Sequence, residues 1–215
     1  MNPDFPNRIV AIVLAAGRST RMGEANKLLQ PWQGKPLALH VLDAAKAVFK
    51  ASDVIVVTGH QADKVKPALG TGVTTVHNPD FATGMASSLK VGLEQAVGLN
   101  ADAALILLGD MPLVNANHIE AMLEAMLEAR LAARLSASTA ADFGSDVIVQ
   151  ATSNGKPGNP VLLPRSLFGE LMLISGDRGA RSIIDAHCGQ IVSVELGTAA
   201  AKDFDTPEAF VQKGP

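Results

Sequence analysis

The residues in this chain best equipped for chemistry are cations and carboxylates that follow directly on apolar runs. The first group lies in LAAGRSTRMGEANKLL (14–29), where Arg18, Arg21 and Lys27 come after the run IVAIVL. Gly17 and Gly23 are six positions apart with Arg21 between them, which is not the G-x-G-x-x-G of a dinucleotide fold. The segment also lacks the Gly-Lys-Ser/Thr ending of a P-loop, and Ser19 does not sit in G-x-S-x-G. What remains is a small-residue loop whose backbone N–H groups can approach an anion, with three cations around it. A nucleoside triphosphate carries about four negative charges at neutral pH and is met by cationic clamps plus a metal. Two glycines alone would mean only turns. Three cations at the carboxyl end of a strand point to phosphate binding.

The carboxylates come later. Asp110, in LLGDMPLV, leaves the apolar run AALILL, where an unpaired carboxylate is costly unless it meets a cation. It could cap the next helix, but that helix has its own start at Asn115 or Asn117, so a divalent cation is the stronger reading. In KDFDTPEAF an extended backbone puts Asp203 and Asp205 on one face and Phe204 on the other. One of these carboxylates could join Asp110 on a metal, although Thr206–Pro207 is also an ordinary helix start that either could cap. In NPDFATGMASSL (78–89), Ser87 and Ser88 fall in the first turn of a helix, where hydroxyls and free N–H groups could read a base edge or a ribose. The five histidines (40, 60, 77, 118, 187) show no catalytic or metal-binding spacing.

These groups need strands to present them. Strands are expected at 8–14, 53–58, 73–77, 103–108, 146–151, 161–163 and 190–196. Helices are expected at 36–50, 62–69, 85–97, 116–135, 165–173, 180–187 and 207–212. Alternating β and α implies a mainly parallel sheet with right-handed crossovers, helices on both faces, and ligands outside the carboxyl ends of the strands. In the helix at 116–135 the apolar positions Ile119, Met122, Leu123, Met126, Leu127 and Leu131 read as core, with a dimer contact as the alternative for the Met stripe. With 215 residues, 47% hydrophobic and 18% charged, the chain suits a globular domain with a sizeable core. A net charge of −3 gives no basic field for nucleic acid. The apolar runs are too short to span a bilayer, and the N-terminus does not read as a signal peptide. The lone Cys188 excludes an internal disulfide, and together these features lead to the expectation of a cytoplasmic enzyme.

Taken in order, LAAGRSTRMGEANKLL, VTGH, NPDFATGMASSL, LLGDMPLV, GKPGNPVLLP, GDRGAR and DFDTPE resemble the nucleotidyltransferases that act on molybdopterin, above all molybdenum cofactor cytidylyltransferases. The likeness runs from Ile9 to about Phe210. It implies a single Rossmann-like domain of the nucleotide-diphospho-sugar transferase type, with a nucleotide-binding half at 8–112 and an acceptor-binding half at 145–210. It implies transfer of CMP from CTP to the terminal phosphate of molybdopterin, with Mg²⁺ as cofactor and an apo-molybdoenzyme as a further partner. The alternatives are a guanylyl or other nucleotidyltransferase for a different phosphorylated acceptor, or a cofactor-loading partner of a molybdoenzyme.

By the same resemblance, Leu14, Ala15, Ala16, Gly17 and Arg18 hold base and phosphates, and Lys27 is the catalytic lysine at the α-phosphate. Asn78, Ser87 and Ser88 lie beside base and ribose, while Asp110 and Asp205 hold the metal. Lys156, Asn159, Pro160, Asp177, Arg178 and Arg181 serve the acceptor, the prolines stiffening a loop; Asp177 could also cap a short helix. Guanylyl members read LAGG where this chain has LAAG, and the extra methyl of Ala16 would take room that a purine needs. The chain departs from a DIDTPED-type ending at Phe204, where Ile stands in the family, and at Ala209, where an Asp is missing. An apolar exchange at Phe204 is expected to be harmless.

Overall fold

The computed structural model describes residues 8–18, 25–136, 147–177, 179–206 and 209–210. Along the chain run β1 (Ile9–Ala15), β2 (Pro31–Trp32), β3 (Lys35–Pro36), α1 (Leu37–Val48), β4 (Val54–Thr58), α2 (Ala62–Leu69), β5 (Thr74–His77) and α3 (Met85–Gly98). There follow β6 (Ala103–Leu108), α4 (Ala116–Ser136), β7 (Ile148–Ser153), β8 (Lys156–Pro164), α5 (Phe168–Leu171), α6 (Arg181–Ala186), β9 (Ile191–Glu195) and α7 (Thr198–Ala201). The main sheet has the order β5-β4-β1-β6-β8-β7-β9. All its neighbours pair in parallel except β8, which is antiparallel to both β6 and β7.

Side chains alternate across the central strands and so build two cores. Ala11, Val13, Val56 and Leu105 face one side, where they meet Val41 and Leu42 of α1, Val65 of α2, Met122 and Met126 of α4 and Ala200 of α7. Val10, Ile12, Ile55 and Ile106 face the other, against Leu89 and Leu93 of α3, Leu171 of α5 and Ile184 of α6. Near-continuous apolar strands are what a doubly covered sheet requires. Met122 and Met126 are fully buried, so the Met stripe is core. Leu127 and Leu131 depart from the sequence expectation: they sit on the exposed side of α4, as does Leu135. The stripe that packs on the sheet is Ile119, Met122 and Met126, one turn apart, with Leu123 at its margin.

The chief correction lies at 154–164. The segment expected as a stiff loop, Lys156–Pro160, is the first half of β8, which runs on through the short strand read at 161–163. Asn154 and Gly155 both take positive φ (51° and 72°), the two-residue turn whose twist matches antiparallel strands. Ser153 then pairs with Lys156 and Thr152 with Pro157, and the register shifts between Gln150 and Thr152. That irregularity is what lets Pro160 sit in an internal strand, where a regular ladder has no place for it. The ribbon β2–β3 and the short helix α7 are further elements that periodicity alone does not reveal.

Candidate active site

The four parallel strands β5, β4, β1 and β6 end on one edge of the sheet. Chain order reverses between β1 and β6, because β1 is followed in the sheet by β4 on one side while β6 joins on the other. This is the switch point at which open α/β sheets bind ligands. Lys27 lies beyond the end of β1 and Asp110 beyond the end of β6.

A single turn at Lys27–Leu29 presents the lysine. Asn26 caps it: its buried side-chain Oδ1 accepts from the N–H of Leu28 at 3.1 Å. The Lys27 ammonium donates to Asp110 Oδ2 at 2.5 Å and also to Asp205 Oδ1. The last segment reaches this centre because the N–H of Phe204 donates to the carbonyl of Asp110 at 3.0 Å. Asn115 caps α4 by accepting from the N–H of His118, so Asp110 is released from that duty, as the sequence suggested.

Burial alone would push the Lys27 ammonium down. The charge and hydrogen bond of Asp110, then those of Asp205, outweigh it and hold the group above its ordinary value. Asp203 behaves oppositely: burial first, then the charges of Asp205 and Asp110, push its carboxyl up despite the nearby ammonium. Two carboxylates sharing one ammonium, with a third beside them, make a centre of net negative charge.

A cavity of about 460 Å³ opens above this centre. Leu14, Ala16, Gly17, Arg18, Lys27, Ser88, Asp110, Asp177 and Asp205 line it, so nine of the sequence-derived residues come together here. Ala15 is buried beneath the loop. Asn78 is buried too, and its amide donates to Ser87 Oγ at 2.8 Å and Ser88 Oγ at 3.0 Å. Asn78 and Ser87 thus support the wall without lining it, since the Ser87 hydroxyl bonds the carbonyls of Asp80 and Gly84. Lys156, Asn159, Pro160 and Arg181 do not line the cavity. The β7–β8 hairpin that carries the first three packs instead on α7, with Gly158 against Ala200 so closely that a Cβ would fall 2.1 Å from the Ala200 oxygen. Arg21, Arg178 and most of the helix expected at 207–212 lie outside the described residues.

Sequence reasoning missed the apolar wall formed by Leu28, Phe81, Ala82, Met85 and Leu108, and it left Asp203 undecided. The D-x-D alternation was the available signal for Asp203. For Phe81 there was none, because its position depends on Gly59: a Cβ there would stand 2.5 Å from the Phe81 Cβ and 2.8 Å from the Ala16 Cβ. The Ala16 methyl is packed against Gly59 and is 3% exposed, and the Ala16 carbonyl accepts from the N–H of His60 at 3.2 Å.

Asp110 and Asp205 reach one common ammonium, so their oxygens converge on a single cation position. Hard carboxylate oxygens suit Mg²⁺ or Mn²⁺. Among the described residues no group of three or more His, Cys, Asp or Glu side chains is set to hold a metal. Mg²⁺ commonly takes one or two carboxylates and completes its shell from phosphates and water.

Three comparisons with known proteins bear on this site. The bifunctional proteins GlmU of Sphingopyxis alaskensis and Brevibacillus brevis are 40% and 37% identical over 119 residues, or 54% of this chain. The matched stretches are only 26% and 25% of those relatives' own lengths. In structure, a homologue from Mycobacterium sp. strain JC1 of the Mycobacterium tuberculosis protein Rv0371c superposes with a TM-score of 0.75. It is 24% identical and covers 96% of this chain and 94% of its own. A nucleotidyl transferase from Methanothermobacter thermautotrophicus, Mth528, gives a TM-score of 0.69 at 24% identity, covering 95% of each chain. These likenesses establish the fold, a single α/β domain with a mainly parallel sheet, as in nucleotide-diphospho-sugar transferases. Residues 11–191, from inside β1 to the start of β9, match the MobA-like NTP transferase domain, and with its lysine and carboxylates at the β1/β6 switch point the chain belongs to that family of nucleotidyltransferases.

Proposed function

We propose that this chain transfers CMP from CTP to the terminal phosphate of molybdopterin, with release of pyrophosphate. The observation that carries the reading is the joint placement of Lys27, Asp110 and Asp205 at the floor of one cavity, with Arg18 on its wall. A phosphate oxygen of the acceptor attacks the α-phosphorus of the nucleotide, and the bond to pyrophosphate breaks in line. An acceptor phosphate is largely ionised at neutral pH, so no strong general base is needed. Lys27 takes the α-phosphate oxygens, and Arg18 holds the β- and γ-phosphates. Mg²⁺ held by Asp110 and Asp205 would supply charge neutralisation for the phosphate oxygens.

CTP is favoured over a purine nucleotide by Ala16. Its methyl is fixed against Gly59, so it acts by holding the loop at a set distance from the base rather than by standing free in the cavity. The acceptor half is 145–210 and the nucleotide half 8–112; GKPGNP and GDRGAR serve the acceptor, and of their described side chains it is Asp177 that lines the cavity. The 37–40% identity to GlmU proteins over half the chain favours a second reading, a guanylyl or other nucleotidyltransferase acting on a different phosphorylated acceptor.

A pyrophosphate-release assay with each of the four ribonucleoside triphosphates, with and without molybdopterin, tests this. Turnover with CTP only when molybdopterin is present is expected. Equal turnover with GTP would remove the base assignment, and turnover with a sugar phosphate in place of molybdopterin would establish the second reading.

A further inference from the structure

Phe204, expected from the sequence to be a harmless apolar exchange, makes ring contacts on two sides. Phe204 stands between the two carboxylates Asp203 and Asp205 and is itself 1% exposed. Its ring meets the edge of Trp32 with centroids 5.2 Å apart and that of Phe210 at 5.4 Å, and the Lys202 ammonium lies over it at 5.4 Å. Trp32 belongs to the β2–β3 ribbon, five residues beyond Lys27. It is anchored in turn on α1, where His40 contacts its ring edge-on at 4.6 Å and His40 Nε2 lies 2.8 Å from its carbonyl.

We propose that Trp32 and Phe204 are positioning residues for the metal-binding carboxylates, a reading that rests on the metal role proposed for Asp110 and Asp205. Three chain segments supply the charged centre: one after β1, one after β6 and one after α7. The Phe204 amide ties the third to the second at the Asp110 carbonyl. The Trp32–Phe204 ring contact ties the third to the first. An aliphatic residue at 204 could fill the core, but it offers no flat edge to Trp32. With the ring gone, Asp205 keeps its sequence neighbours but loses the lateral constraint that aims its carboxylate at Lys27 and Asp110. Misplacements of about 1 Å at a reacting centre cost on the order of 100-fold in rate, so this constraint is a functional one.

The test is Mn²⁺ binding, read by electron paramagnetic resonance on the full chain with CTP present, together with kcat and the half-saturating Mn²⁺ for pyrophosphate release. Phe204→Leu and Trp32→Ala are expected to weaken Mn²⁺ binding about tenfold, while thermal melts show a folded protein. Trp32→Phe keeps a ring at that position and is expected to bind within twofold of the parent. Mn²⁺ affinity unchanged in folded Phe204→Leu and Trp32→Ala would overturn the proposal, as would equal weakening by Trp32→Phe. Should Trp32→Ala fail to fold, Phe204→Leu against Trp32→Phe still decides. A parent protein that binds Mn²⁺ but turns over no nucleotide would sink the transferase reading and leave this comparison intact. A parent that loses no Mn²⁺ affinity on Asp205→Asn would sink the metal assignment itself.

Discussion

At Lys27 two opposing effects meet, and the balance between them makes the residue testable. Burial disfavours its charge, while Asp110 and Asp205 favour it more strongly, so its pKa is raised above the usual 10.5. The sign follows: the ion pairs contribute fully below 10.5 and are lost only as the pH rises through the higher folded value. Across the neutral range the ammonium therefore stays charged between Asp110 and Asp205, where the proposed divalent cation would compete with it. Lys27→Met is expected to raise the Mn²⁺ affinity of the nucleotide-free protein, because a competing positive charge is gone. The same variant is expected to lower pyrophosphate release about 100-fold or more, because the α-phosphate loses its donor. Calorimetric Mn²⁺ titration and steady-state kinetics read the two effects separately, and unchanged turnover would remove the catalytic role. Asp110→Asn is expected to abolish turnover with little change in the melting curve. These residues were legible because a charged side chain at the end of an apolar strand is conspicuous. Asn26 and Phe81 were not, since an ordinary cap and an ordinary aromatic gain their meaning only from what lies beside them in space.

The hairpin β7–β8 shows how an element can hide in plain sequence. Its prolines and glycines read as a loop, yet the Asn154–Gly155 pair is the turn that makes it a hairpin. What holds the turn comes from far along the chain. The Glu195 carboxylate accepts from the N–H of Asn154 at 2.8 Å, of Gly155 at 3.1 Å and of Gly197 at 3.1 Å, and from Thr152 Oγ1 at 2.8 Å. The bond from Gly155, then those from Asn154 and Thr152, hold its pKa below the usual 4.5. A depressed carboxylate contributes stability that is present above 4.5 and is lost as the pH falls through the lower folded value. Glu195→Gln is therefore expected to be less stable than the parent at neutral pH, with the difference shrinking below pH 4.5. Urea denaturation of both proteins between acid and neutral pH measures it, and a difference independent of pH would mean that packing, not charge, holds the turn. Gly158→Ala belongs to the same element. With the Ala200 carbonyl in the way, the added methyl should cost about 1–3 kcal/mol by forcing hairpin and α7 apart.

For the molecule as a whole, strand type and strand position were legible to different degrees. Apolar runs marked β1, β4 and β6 well, because strands covered on both faces need unbroken apolar sequence. The place of β8 was not written in any local pattern: it enters beside β6 and alone runs against the sheet. As a result the expected division into a half at 8–112 and a half at 145–210 corresponds to no gap in the sheet. Leu105 pairs with Leu162 and Ala104 with Leu163, and the two core layers run through both halves. A fragment ending at residue 136 would therefore leave β6, with the sequence AALILL, as a bare apolar edge. Such an edge invites pairing with other chains. The fragment is expected to elute as an aggregate and to melt without a cooperative transition, whereas the full chain melts in one step. Size-exclusion chromatography and circular dichroism distinguish the cases. A monomeric fragment with its own sharp melt would mean that the fragment is an autonomous domain. The charged centre would then be assembled only when the second half, carrying Asp205, docks onto it.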